Sequence, residues 1–295
     1  MIACVGELMW DLLGEEGIAL EAGPRLKPVV GGAAGNVALE LRALGLDVVA
    51  GGVVSDDAWG EALLGALEAA GVHTGAVLQR HGRTGTVIIE RTRSEHERYV
   101  SFRPEWGRRF PRVTLPPDVT MLHLAAVDPD PSQIAVWAGL AREVKGRGGH
   151  VTVDLNARPR AWRGHGRPRG LKALLGRVDL CKASERDLEI LQLSCHRDAL
   201  AETAGALGLS PAAILVVTRA GGTAHAVGPF GLVARRPPKV TLRRSVGAGD
   251  AFCAKLLHGL TSGLPSGRAG MRRLLEAAHA HAAARMSQRA EEVRA

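Results

Sequence analysis

Ser245-Val246-Gly247-Ala248-Gly249-Asp250-Ala251-Phe252 sets three small residues directly before a carboxylate, and Ala251 to Leu260 follows as an apolar run with helical spacing. Small residues let a backbone bend tightly and turn its N–H groups outward. At a helix N-terminus those N–H groups, together with the helix dipole, make a site for an anion. Asp250 then falls in the first turn, beside that anion. A carboxylate is ordinarily kept away from a phosphate. One reason to place it there is to take a proton from a hydroxyl that attacks the phosphate. An Asp at an ordinary helix start after a glycine-rich turn has the same local pattern, so the rest of the chain must decide between the two.

Working outward, the chain alternates strand and helix. Ile2–Gly6 is an apolar run closed by glycine, 35–44 has helical periodicity, 47–54 is strand-like, and 58–70 is helical up to Gly71. Short apolar strands follow at 121–127, 151–155, 180–183 and 214–218, separated by helical stretches at 132–145, 169–175, 184–191 and 198–207. Such alternation predicts an α/β fold with a doubly wound, mostly parallel central sheet and helices on both faces. Two stretches depart from it. Residues 8–30 have no helical periodicity. Residues 84–102 alternate, Thr86 to Glu90 and then Glu97 to Phe102, with a polar gap between, as a hairpin does. Together they predict a small β-sheet projecting from a single domain over 1–295, a discontinuous lid built from about 8–30 and 84–105.

Composition narrows the function. The net charge is +8, with 38 Lys and Arg against 30 Asp and Glu, which suits an anionic substrate such as a nucleotide. Nucleic acid is not expected, because the Arg residues are spread along the chain. Five Trp, four Phe and one Tyr form no basic–aromatic platform. No apolar run is long enough for a membrane span. The N-terminus reads as a buried strand, not a signal peptide. Four scattered Cys with no CxxC pair point to reduced thiols and a cytoplasmic location. The chain has no ordinary P-loop, no G-x-G-x-x-G, no G-x-S-x-G and no H-E-x-x-H. His279 and His281, two apart, do not share a helical face, and no metal cluster is expected.

A second glycine-rich stretch, Gly31-Gly32-Ala33-Ala34-Gly35-Asn36-Val37-Ala38, enters the helix that ends near Leu44. Glycine lets a ligand approach the backbone, and an Asn amide donates to and accepts from hydroxyls. A plain turn before a helix start fits this stretch equally well.

Gly31-Gly32-x-x-x-Asn36 and Gly247-Ala248-Gly249-Asp250, in this order near the two ends of the chain, resemble the two motifs of the ribokinase-like (PfkB) sugar kinases. The resemblance covers nearly the whole chain. Gly6-Glu7-Leu8-x-x-Asp11 is similar to the family's opening, and Ser55-Asp56-Asp57-Ala58-Trp59-Gly60 to its next segment. Asp154-Leu155-Asn156-x-Arg158 resembles the D-x-N-x-R of the fructokinase and 2-keto-3-deoxygluconate kinase members. Lys182-x-Ser184-x-x-Asp187 stands where the family often has K-x-N-x-x-E, and Thr218-Arg219-Ala220-Gly221-Gly222 where it has a T-x-G nucleotide loop.

The resemblance implies a ribokinase-like fold and an ATP-dependent kinase acting on a primary hydroxyl of a small sugar or sugar acid. It implies that Asp11, Gly31, Gly32, Asn36, Arg103 and Arg158 bind the sugar. Asp250 would be the base, and the N–H groups of Gly247, Ala248 and Gly249 would hold the transferring phosphoryl group. Lys182, Ser184, Asp187, Thr218, Arg219, Ala220, Gly222 and His279 would line the nucleotide. Mg²⁺ would be held through ATP phosphates and water, with no direct protein ligand, and the family expectation is a homodimer. Three departures qualify it. Arg244-Ser245 stands where an Asp-Thr pair commonly helps hold a monovalent cation, so K⁺ activation is doubtful and the guanidinium replaces the cation's charge. Ser184 and Asp187 are shorter than the usual Asn and Glu. Ala220 replaces a glycine and would resist a positive φ. A ligand-binding protein on a catalytically weak kinase scaffold, or a nucleoside kinase, is the alternative.

Overall fold

The computed structural model describes residues 1–91, 98–102, 110–165, 167–168, 170–238 and 247–292. In chain order the elements are β1 (Ile2–Gly6), β2 (Met9–Gly14), β3 (Leu26–Gly31), α1 (Ala33–Ala43), β4 (Val48–Ser55), α2 (Ala58–Ala69), β5 (His73–Arg80), β6 (Thr86–Glu90) and β7 (Arg98–Phe102). Then come β8 (Met121–Ala125), α3 (Pro131–Gly146), β9 (His150–Asp154), α4 (Pro159–Trp162), α5 (Leu171–Leu175), β10 (Leu180–Ser184), α6 (Glu185–Ile190) and α7 (Leu200–Leu207). The chain closes with β11 (Ile214–Thr218), β12 (Ala224–Gly228), β13 (Gly231–Arg235), α8 (Ala248–Leu260) and α9 (Arg268–Glu292).

Nine strands form one sheet in the order β13-β12-β11-β10-β9-β8-β1-β4-β5, parallel except where β12 and β13 turn back as a hairpin. The central strands are mostly apolar, with a few buried polar residues such as Ser55 and His123. β1 (IACVG), β4 (VVAGGVVS) and β8 (MLHLA) are buried at every position, as strands covered on both faces must be. One apolar core, around Trp137, Ile134, Leu174 and Leu200, fills one face beneath α3, α5 and α7. A second, around Leu41, Leu63, Phe252 and Leu275, fills the other beneath α1, α2, α8 and α9. Local chemistry sets the helix starts. Asp57 caps α2 by accepting from the Gly60 N–H at 2.8 Å, and Asp130 caps α3 ahead of Pro131.

The sequence pattern located most of these elements but not β5, α4 or the β12–β13 hairpin. A separate four-stranded sheet, in the order β3-β2-β6-β7, draws on the two irregular stretches. β6 and β7 pair as an antiparallel hairpin from Thr86↔Phe102 to Glu90↔Arg98, and β6 runs parallel to β2. Trp10 ties this sheet to α2. Its indole Nε1 donates to the Trp59 carbonyl at 2.8 Å, and the two rings meet edge to face at 5.8 Å.

The order of the large sheet reverses at β1, with β4 leaving to one side and β8 lying on the other. In open α/β sheets a crevice forms beyond the carboxyl ends of strands at such a point. β1 ends at Gly6, β8 at Ala125, β9 at Asp154, β10 at Ser184 and β11 at Thr218. Among the described residues, no helix is long and apolar enough to cross a membrane.

Candidate active site

Both glycine-rich motifs open helices, and the helices face each other. Gly32 is the residue before α1, with φ 78°; Gly247 is the residue before α8, with φ 79°. Side chains other than glycine rarely adopt that conformation. α1 packs against α8, and the Asn36 amide Nδ2 donates to Asp250 Oδ2 at 2.9 Å. Gly31 lies beneath the Asp11 carboxylate, where a Cβ would come within 2.3 Å of the carboxyl carbon. Residues 214 apart in sequence thus share one hydrogen bond at the mouth of the crevice.

Beneath Asp250 lies a buried ion pair. Lys182 Nζ donates to Asp154 Oδ2 at 2.7 Å, with side chains only 6% and 1% exposed. Burial works against the Lys182 ammonium, but Asp154, together with Cys253 and Asp187, outweighs it and raises the lysine's pKa, so the ammonium stays charged. The other carboxylate oxygen, Asp154 Oδ1, is buried and has no hydrogen-bond partner among the described residues. Burial pushes Asp250 up and the Asp154 charge adds to this. Lys182, the Asn36 amide and Arg158 pull it back, leaving its pKa at about 6. The carboxylate is therefore ionised at neutral pH yet far more basic than a free Asp. Farther back, His123 is held at a pKa of about 3 by burial and by Lys182, and it stays neutral between Thr152 and Cys253.

Ser184 and Asp187 are bound to each other and to backbone. They form a reciprocal cap at the start of α6, with the Asp187 N–H on Ser184 Oγ at 3.1 Å and the Ser184 N–H on Asp187 Oδ2 at 2.6 Å. Asp187 Oδ1 accepts from the Ala157 N–H at 2.8 Å. This anchors the loop that carries Asn156, which has φ 37°. Asn156 lines the crevice and was not among the expected site residues; an Asn directly after a buried strand, tolerant of left-handed backbone, was the available signal.

The turn after β11 carries its left-handed residue at Gly221, φ 63°, and Ala220 is not left-handed. The expected strain at Ala220 is therefore absent, because the next glycine carries the positive φ. Arg219 is turned toward neighbouring backbone, with Nη2 donating to the Cys195 carbonyl at 2.8 Å and Nε 3.3 Å from Glu185 Oε1. His279, on α9, sits edge-on to Phe252 with ring centroids 5.0 Å apart. Its Nε2 lies 3.1 Å from the Arg235 carbonyl. Burial lowers its pKa, so the ring is neutral and Nε2–H is the donor.

These groups line one cleft of about 880 Å³. Asp11, Gly32, Asn36 and Arg158 border it, as do Lys182, Ser184, Asp187, the turn 218–222, Gly247 to Asp250 and His279. Gly31 lies behind Asp11 instead of on the wall. Arg158 is half exposed, 4.0 Å from Glu7. Val87, Ile89 and Tyr99 of the small sheet form part of the wall, a contribution the sequence reading did not assign to particular residues. Arg103 and Arg244 lie outside the described residues. Among the described residues no group of three His, Cys, Asp or Glu could hold a metal ion.

The family model described as "pfkB family carbohydrate kinase" matches residues 1–291. A fructokinase from Klebsiella pneumoniae is 32% identical over 282 residues, covering 90% of this chain and 87% of its own. An uncharacterized sugar kinase from Pyrococcus horikoshii, solved in complex with ATP, superposes with a TM-score of 0.80 at 22% identity, covering 97% of this chain and 92% of its own. A fructokinase from Xylella fastidiosa with bound ATP gives 0.78 at 22% identity, covering 96% and 90%.

Proposed function

The chain belongs to the pfkB family of carbohydrate kinases, and from that premise we propose that it transfers the γ-phosphate of ATP to a primary hydroxyl of a small sugar or sugar acid of the fructose or 2-keto-3-deoxygluconate type. The observation that carries the reading is the 2.9 Å contact between Asn36 and Asp250, which sets a carboxylate of pKa about 6 between the two helix starts. Asp11, Asn36 and the backbone at Gly32 hold the sugar hydroxyls, with Arg158 at the rim. Asp250 accepts the proton of the attacking hydroxyl as its oxygen bonds to phosphorus and the bond to the ADP oxygen breaks. The N–H groups of Gly247, Ala248 and Gly249 donate to the transferring phosphoryl group at the positive end of α8. The 218–222 turn and His279 flank the nucleotide. The small sheet closes the cleft and keeps water from competing as acceptor.

Magnesium fits this donor set as an ion held by nucleotide phosphates and water. The buried Asp154 Oδ1, without a hydrogen-bond partner among the described residues, suits a hydrogen bond from a metal-bound water, and bound Mg²⁺ would offset phosphate charge. Pairing of two copies through the small sheet belongs to the same proposal, and sedimentation equilibrium tests it.

A coupled ADP-release assay with ATP and Mg²⁺ tests the function, using fructose, ribose, 2-keto-3-deoxygluconate, tagatose and adenosine, each with and without K⁺. Sugar-dependent ADP release is expected with fructose or 2-keto-3-deoxygluconate. Turnover of adenosine alone would favour a nucleoside kinase, and silence across the panel from folded, ATP-binding protein would favour a binding protein on a kinase scaffold.

A further inference from the structure

Two different kinds of contact seat α9 (Arg268–Glu292) beside the cleft. Toward its start the seat is apolar, with Met271, Leu275 and Ala278 fully buried in the core it shares with α8. Farther along, the buried apolar groups among the described residues shrink to Ala283 and Met286. That is the stretch that borders the cleft, through His279, Ala282 and Ala283. On one side it is tied to β13, with His279 Nε2 3.1 Å from the Arg235 carbonyl. On the other side it is tied to α1 through Glu40, which is only 3% exposed. Arg285 Nε donates to Glu40 Oε1 at 2.9 Å and to Oε2 at 3.0 Å, and His281 Nε2 donates to Oε2 at 3.2 Å. His281 and Arg285, four residues apart, share a helical face. α8 meets them as well, since burial, Lys255 and His281 together lower the pKa of His258.

A carboxylate is a costly way to join two helices. Glu40 is buried, and it lies in the last turn of α1, where the helix dipole disfavours an anion. Apolar side chains of similar volume would hold the helices as firmly. They would not fix how far α9 sits along α1, whereas a carboxylate gripped from two successive turns does. One turn earlier on α1, Asn36 meets Asp250 of α8, so the same helix is already fixed at the reacting carboxylate. We propose that Glu40 is a positioning residue for the nucleotide: by gripping His281 and Arg285 it sets where the His279–Ala283 stretch of α9 stands relative to Asn36 and Asp250. Glu40, His281 and Arg285 do not themselves line the cleft, so they act through the helices that carry them. The inference rests on the kinase reading of that cleft.

The test is calorimetric, with a non-hydrolysable ATP analogue and Mg²⁺, alongside KM for the sugar and the melting temperature of each variant. Glu40→Gln and Arg285→Met each weaken the analogue by about fivefold or more and leave KM for the sugar within about twofold of wild type. Arg285→Lys keeps a cation for Glu40 and stays within about twofold for both. Arg285 is partly exposed, so its variants carry the test if Glu40→Gln does not fold. Lys145→Met is the control. It breaks the ion pair of α3 with Asp179 on the other face of the sheet and leaves the analogue's affinity in place. Lower melting temperatures with unchanged analogue affinity in the Glu40 and Arg285 variants would overturn the proposal, as would an equal loss in Lys145→Met. Wild type that does not bind the analogue at all would instead remove the kinase reading, and the proposal with it.

Discussion

The starts of α1 and α8 look alike in sequence and share a positive φ at the preceding glycine, yet they need glycine for different reasons. Gly32 and Gly247 precede their helices with the same left-handed φ. At the α1 start the glycines are hemmed in by the protein itself. A Cβ on Gly32 would lie 2.3 Å from the Glu7 carbonyl oxygen, and one on Gly31 would enter the Asp11 carboxylate. In the first turn of α8, a Cβ on Gly249 would meet, among the described residues, only the tip of Lys182, at 3.7 Å. The first motif is built for packing, joining the small sheet to the large one. In the proposed function, the second leaves room for the transferring phosphoryl group. Similar strings of small residues thus call for glycine on different physical grounds at the two ends of the chain.

Four substitutions break or sharpen this contrast. Asp250→Asn has the largest effect, lowering kcat by about a thousandfold or more while leaving the KM for sugar nearly unchanged. It should also raise the melting temperature at pH 8. Because the folded state raises this carboxylate's pKa from 3.8 to about 6, folding favours the protonated form, and the penalty for ionisation is complete above about 6 and fades as pH falls toward 3.8. Asn does not incur it. Lys182→Met leaves Asp154 buried without its partner, costing about 3–5 kcal/mol in denaturant titrations. Retention of wild-type stability would remove the pair from the floor of the site. Gly32→Ala meets both the Glu7 carbonyl and an unfavourable φ, for a loss of about 2 kcal/mol or more. Gly249→Ala changes stability by no more than about 1 kcal/mol, but its methyl intrudes where the phosphoryl group would pass, and kcat/KM falls by about tenfold. If Gly249→Ala unfolded the protein and Gly32→Ala did not, the contrast between the two motifs would be inverted.

Much of the large sheet was legible because its central strands are mostly apolar and its helices keep their period. β5 was not, since its polar edge residues His73, Gln79 and Arg80 dilute the pattern. The β12–β13 hairpin was hidden by glycines at 228 and 231 and by short, partly polar strands. The meeting of Asn36 and Asp250 could be expected only through family resemblance, because no local rule links residues so far apart. Lys182 shows what a motif leaves out. Its place in K-x-S-x-x-D suggested a nucleotide contact, while the fold adds a buried counter-ion, Asp154, that no spacing rule predicts. Ala220 shows the reverse, a departure that the chain absorbs one residue later at Gly221.

The central claim is that two helix starts assemble one base, with Asn36 and Lys182 holding its pKa down against burial. The most direct measurement is the pH dependence of kcat/KM for wild type and for Asn36→Ala, on the best sugar in the panel. The account predicts a limb near pH 6 that rises to a plateau at higher pH, displaced upward in Asn36→Ala because the stabilising donor is gone. A profile flat from about pH 5 to 8, or a limb that Asn36→Ala leaves in place, would contradict it.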